Sequence, residues 1–183
     1  GSIASAVAAE LSVDGPAISS SMTCASFMHS LLTAWGLLHT GTFDGFIVGG
    51  AEAPLTPFTI AQMRALRIYS SLVENPFPCR PCEDEEIKRN TMTLGEGAAA
   101  FYIETESSIQ KRGMTTNGSA KIVGIGFSKE VQISSTGMDP EGAGFKASMQ
   151  MALESAKLST VDSIVLHAPG TSLGDEAELA AIS

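Results

Sequence analysis

Short apolar or β-leaning runs alternate with helix-patterned stretches along this chain, and that alternation limits its architecture more than any other feature. AISSSM (17–22), FDGFIVGGAEA (43–53), GEGAAAFYIETE (95–106), KIVGIGF (121–127) and DSIVLHA (162–168) read as strands. Helical patterning falls on IASAVAAEL (3–11), about 25–39, TIAQMRALRIYS (59–70), about 141–157 and a last segment opening at Asp175. On the second of these helices, Phe27, Met28, Leu31, Leu32, Trp35 and Leu38 recur at helical spacing, and Gly41 supplies the stop. Strands that take turns with helices predict an α/β layer architecture. The stretch 72–92 is polar and irregular, with three prolines and a charge cluster, and the charged loop 107–120 is the best internal boundary.

The bulk properties narrow the function classes. With 183 residues the chain is long enough for one ordinary domain. A hydrophobic content of 44% and a mean hydropathy of +0.17 allow a real core. A formal charge of −9 argues against nucleic acid or anionic membrane as the main partner. No run is long enough to span a bilayer, so membrane insertion is not expected, and no signal segment opens the chain. Three cysteines, an odd number, fit a reduced cytoplasmic compartment better than a disulfide framework. The chain opens Gly-Ser without a methionine and closes on GDEAELAAIS, which reads as a helix beginning, so a piece of a longer protein is expected.

Chemistry concentrates at two places. Cys24 stands where the run 17–22 gives way to a helix, among the small residues Ser19, Ser20, Ser21, Ala25 and Ser26. A helix N-terminus favours a thiolate and holds an oxyanion, and a sharp turn exposes the side chain. On local features alone, a small residue filling a tight corner outweighs that nucleophilic reading. His167 ends the run 162–168, followed by Pro169, Gly170 and Gly174. In α/β sheets ligands gather outside the carboxyl ends of strands, where a histidine serves as donor or base. Packing and dipole roles suffice for His29 and His39, on the Cys24 helix. Cys79 and Cys82 form the one metal-like spacing, CRPC, but no second ligand pair follows, so two incidental loop thiols are expected and no metal. No phosphate-binding glycine motif is present.

Taken in order, these motifs resemble the β-ketoacyl synthase (condensing enzyme) family of the thiolase superfamily, its elongating type above all. GPAISSSMTCAS resembles the family's nucleophile motif, FDGFIVGGAEAPLTPF the following strand, and CRPCEDEEIKRNTMTLGEGAAAFYIETE the stretch that closes the first half. KRG at 111–113 with KIVGIGFS matches the crossover, and HAPGTSLGDEAE resembles the first active-site histidine loop. The resemblance implies an incomplete thiolase-like layered αβα architecture, with residues 1–116 ending the N-terminal half and 117–183 beginning the C-terminal half. The family carries a lysine and a second histidine further along, which this chain does not include, so the segment alone is expected to lack condensing activity. The family's loop usually reads His-Gly-Thr-x-Thr, and here Ala168, Pro169 and Gly170 precede Thr171.

The activity so implied is that of a 3-oxoacyl-[acyl-carrier-protein] synthase, extending a fatty-acid, polyketide or polyene chain. Cys24 takes an acyl group, malonyl thioester loses carbon dioxide, His167 stabilises the enolate, and a Claisen condensation on acyl-Cys24 follows. Among the remaining implied roles, Thr171 and Met63 contact substrate, Asp175 and Glu178 support the site (Glu178 by orienting the family lysine), and Arg67 meets the carrier protein. The implied partners are acyl carrier protein bearing acyl or malonyl phosphopantetheine and a second ketosynthase chain, as a homodimer or heterodimer. No cofactor is implied. The alternatives are a non-catalytic, chain-length-factor-like subunit, which typically lacks the cysteine, and a thiolase-type acyltransferase.

Overall fold

The computed structural model describes residues 2–72, 74–83, 89–130 and 137–183. In chain order the elements are α1 (Ile3–Glu10), α2 (Ser26–His39), β1 (Gly45–Glu52), α3 (Pro57–Ala65), β2 (Gly97–Glu104), α4 (Glu106–Lys111), α5 (Ala143–Ala156) and α6 (Ser172–Ile182). They divide into two compact units, Gly1–Ala53 with Glu96–Ala120, and Pro54–Gly95 with Lys121–Ser183.

The first unit is built on an antiparallel pair, β1 and β2, in which Gly45 faces Glu104 and Glu52 faces Gly97. The apolar face of α2 packs on β1, and Ala34, Leu38 and Val48 are the buried apolar residues of this unit. Phe27 on α2 meets Phe101 on β2 at a ring separation of 6.0 Å. The expected stop is in place: α2 ends at His39, and Gly41 takes φ +72. His39 itself bonds the Trp35 carbonyl at 2.8 Å through Nδ1, a placement near the helix C-terminus that suits its expected structural role.

In the second unit the segment 121–127 lies directly against α5. A Cβ on Gly126 would overlap the Ser148 carbonyl oxygen and come within 2.6 Å of the Ala152 nitrogen, and one on Gly124 would sit 2.7 Å from the Ala156 nitrogen. Ser148, Ala152 and Ala156 recur every four residues, so a stripe of small residues on the helix receives backbone rather than side chains. Ala177 and Ala181 on α6 are buried.

Several sequence expectations need correction. The runs 17–22, 121–127 and 162–168 are not strands, apart from an isolated bridge between Met22 and Cys24. A strand exists only where a neighbour completes its ladder, and among the described residues these runs have none. The third is left with Val165 97% exposed. The helix expected over 59–70 stops at Ala65, because Arg67 turns left-handed at φ +58. Its start is earlier, at Pro57, with the Thr56 side chain accepting the Thr59 N–H. The loop expected over 107–120 contains α4, capped by Thr105 and flanked by Glu106 and Lys111 at the ends that suit their charges. The last helix begins at Ser172, which puts Asp175 inside its first turn.

Replacing Gly126 by valine should lower stability by about 1–3 kcal/mol, since the backbone contact with α5 leaves no room to repack. Urea unfolding followed by circular dichroism measures this, and an unchanged midpoint would refute the contact.

Candidate active site

The turn before α2 is held by its own short-range bonds. The Ala25 N–H donates to the Met22 carbonyl at 3.0 Å and the Ser26 N–H to the Thr23 carbonyl at 3.2 Å. The Ser26 hydroxyl closes the turn twice, accepting the Met22 N–H at 2.8 Å and donating to the Thr23 carbonyl at 2.7 Å. Thr23 is driven to φ +50, a conformation that costs a β-branched residue strain and persists only where neighbours enforce it. Cys24 is carried on this turn, exposed and unbridged. Neither a side-chain cap nor an acidic residue occupies the first turn of α2, and with the Ser26 N–H held by the Thr23 carbonyl, an anion at the Cys24 side would be met by the N–H groups that follow Ser26. From the next turn His29 Nδ1 meets the Ser20 hydroxyl at 3.2 Å, tying the preceding segment to the helix.

His167 belongs to the second unit, and its loop is organised by two carboxylates on α6. Asp175 and Glu178 are three residues apart, on one face of the helix, and only 7% and 8% exposed. Glu178 accepts the His167 N–H through one oxygen and the Ala168 N–H through the other, both at 2.8 Å. Asp175 accepts the Gly170 N–H at 3.0 Å and the Cys82 N–H at 2.8 Å. Four backbone donors thus satisfy two carboxyl groups that would otherwise be costly to bury. The imidazole of His167 is left exposed. Glu178, whose expected task was to orient a lysine, has both oxygens engaged by backbone.

The remaining site residues of this unit are placed as follows. Thr171 is the N-cap residue of α6, and its carbonyl accepts the Asp175 N–H at 2.8 Å. A Cβ on Gly174 would lie 2.6 Å from Thr171 Oγ1, so only glycine admits that hydroxyl over the first turn. Met63 is half-buried on α3, and Arg67 is exposed just beyond it. Asn90 and Thr91, which the sequence did not mark, hold the same loop: Thr91 donates its N–H to the Gly170 carbonyl at 2.6 Å, and Asn90 Oδ1 accepts the Ser172 N–H at 3.1 Å. Thr91 is 3% exposed within a polar stretch, and neither periodicity nor a motif announces such a position.

Cys82 enters the loop's bonding through its backbone rather than its thiol: its N–H is one of the two donors held by Asp175. Partial enclosure first, and the charges of Asp175 and Glu178 second, push its thiol above the ordinary cysteine value. Among the described residues no group of three or more His, Cys, Asp or Glu is arranged to hold a metal ion, and no helix is long and apolar enough to cross a membrane. Residues 84–88 of the expected charge cluster lie outside the described residues.

Comparison with known proteins gives concordant matches. The family model "Beta-ketoacyl synthase, N-terminal domain" matches residues 1–108, and "Beta-ketoacyl synthase, C-terminal domain" matches 119–183. The "3-oxoacyl-[acyl-carrier-protein] synthase 2" of Staphylococcus aureus is 35% identical over 178 residues, covering 96% of this chain and 43% of that protein. A solved type II polyketide-synthase acyl-carrier protein in complex with its ketosynthase, bound to the hexaketide, superposes with a TM-score of 0.85 at 26% identity, over 98% of this chain and 43% of that one. A ketosynthase in complex with its chain length factor, from Xenorhabdus doucetiae, gives a TM-score of 0.77 at 27% identity, over 98% and 40%. The chain therefore spans less than half the length of these relatives.

Two outcomes test this geometry. Glu178→Gln keeps one acceptor but turns an amide N–H₂ toward a backbone N–H. It should cost about 2–3 kcal/mol in urea unfolding, the range for charged hydrogen bonds lost in a buried setting. A loss under ~0.5 kcal/mol would show that the carboxylate does not hold the loop. The raised Cys82 thiol carries less thiolate near pH 8 than an unperturbed one. Iodoacetamide should therefore alkylate Cys82 more slowly in folded than in urea-unfolded protein, with the difference narrowing as pH rises. Peptide-resolved mass spectrometry reads the rate, and equal rates would remove the effect.

Proposed function

The chain belongs to the β-ketoacyl synthase family, and from that premise we propose that it carries the acyl-accepting cysteine and first histidine of a 3-oxoacyl-[acyl-carrier-protein] synthase. The family is one of acyltransferases with a thiolase-like α/β fold. The observation that carries the reading is the exposed Cys24 on a clamped turn before the uncapped N-terminus of α2.

Cys24 Sγ attacks the carbonyl of an acyl thioester. The oxygen that gains charge is met by the backbone N–H of Cys24, as one half of an oxyanion hole, and the carrier thiol leaves with the proton. Malonyl thioester then binds and loses carbon dioxide, and the His167 imidazole donates toward the enolate oxygen. The carbanion attacks acyl-Cys24, the thiolate is expelled, and the product is a 3-oxoacyl thioester two carbons longer. Glu178 and Asp175 keep the His167 loop in place through its backbone. Thr171 contacts the pantetheine arm, Met63 lines the acyl pocket with a deformable thioether, and Arg67 offers a cation to an acidic carrier. The junction between the family's two halves is placed at 116/117.

Partners follow the same reading: acyl carrier protein with an acyl or malonyl phosphopantetheine, and a second ketosynthase chain. The named complexes among the structural relatives, with a carrier protein and with a chain length factor, support both kinds. Three unbridged cysteines support a cytoplasmic setting. The presence of Cys24 weighs against a non-catalytic partner subunit.

Intact-mass spectrometry after incubation with an acyl-pantetheine thioester tests the nucleophile. One acyl adduct is expected on the full-length protein and none on its Cys24→Ala variant. In the same protein His167→Ala should slow decarboxylation of malonyl thioester by about 10²–10³-fold. An adduct that survives Cys24→Ala would assign the nucleophile elsewhere.

A further inference from the structure

Asn90 stands between two segments to which the proposed function gives different tasks. Its Nδ2 donates to the Arg67 carbonyl at 2.8 Å, and its Oδ1 accepts the Ser172 N–H at 3.1 Å, with the Ser172 hydroxyl 3.5 Å from the same oxygen. A carbonyl partner on one side and an N–H partner on the other admit a single orientation of the amide.

Each contact meets a local need. Thr171 makes no side-chain capping bond for α6, so one of that helix's unsatisfied N–H groups is met by a residue 82 positions earlier. At the other end, Arg67 follows the C-cap of α3 at φ +58, a left-handed conformation that a non-glycine residue keeps only under constraint. The bond from Asn90 to its carbonyl is such a constraint. The neighbouring Thr91 grips the Gly170 carbonyl. Residues 90–91 therefore connect the exit of α3 to both Gly170 and Ser172, on either side of Thr171 and close after His167.

We propose that Asn90 is a positioning residue that links carrier docking at Arg67 to the setting of the His167 loop, an inference that rests on the roles of Arg67 and His167 given above. A displacement of the Arg67 backbone is passed through the amide to Ser172, at the start of the helix whose Asp175 and Glu178 hold Gly170 and His167. Asparagine is specific to this task. Aspartate retains the acceptor for Ser172 but has no donor for Arg67.

The test uses the full-length protein and two substrates for decarboxylation, malonyl carried on acyl carrier protein and malonyl-pantetheine. Asn90→Asp should lower kcat about tenfold on the carrier-borne substrate and less than ~2-fold on the pantetheine, tenfold being 1.4 kcal/mol. Asn90→Ala, which also removes the cap at Ser172, should lower both. In an Arg67→Ala background Asn90→Asp should add nothing on the carrier-borne substrate. Equal losses on the two substrates in Asn90→Asp would make Asn90 merely structural and overturn the proposal, as would no loss on either. A wild-type protein that decarboxylates neither substrate would instead overturn the function assigned to the site, and this proposal with it.

Discussion

Two buried carboxylates on one helical turn are the constraint on which the second unit depends. Asp175 and Glu178 cannot be enclosed without partners, and the partners they take are main-chain N–H groups of His167, Ala168, Gly170 and Cys82. Because backbone is bonded rather than side chain, the loop's path is fixed while the imidazole of His167 stays exposed. The contacts join residues up to 93 positions apart. The histidine loop, the CRPC loop and α6 accordingly form one hydrogen-bonded piece, and loosening either carboxylate loosens all three.

The first unit solves a similar problem with shorter reach. A cysteine must be presented on a turn tight enough to keep its thiol out of the helix, and Ser26 supplies two of the bonds that close it. The strain sits at Thr23, immediately before the thiol. The same serine would have little effect on an exposed helix face, and its effect here comes from lying within reach of the Met22 N–H and the Thr23 carbonyl on the segment that enters the helix.

Much of the candidate site could be read from sequence because its motifs are local. Cys24, His167, Thr171, Asp175 and Glu178 stand at recognisable intervals, and the helices α1, α2 and α5 follow from periodicity with caps at or near the expected ends. What was missed depends on long-range closure. Asn90 and Thr91 look like ordinary polar residues until α6 brings Gly170 and Ser172 to them. The bond that Cys82 gives Asp175 could not be read from its side chain, because it is made by backbone, which every residue possesses. Arg67 was expected within a helix, and the left-handed turn that ends α3 is stabilised from outside it, by Asn90.

By itself the sequence determined that helices would form at α1, α2, α3, α5 and α6, that β1 and β2 would be apolar strands, where the thiol and imidazole stand in the chain, and membership in the β-ketoacyl synthase family. These are encoded in short windows of side-chain pattern. Only the tertiary structure decided which apolar runs complete a ladder, since Ile164 and Val165 carry a strand pattern yet remain exposed, with no strand beside them among the described residues. It alone decided what the carboxylates of α6 do. A side chain can announce its charge in sequence, but its hydrogen-bond partners are chosen by which backbone donors the fold brings within 3 Å, and that choice is made only when distant segments meet.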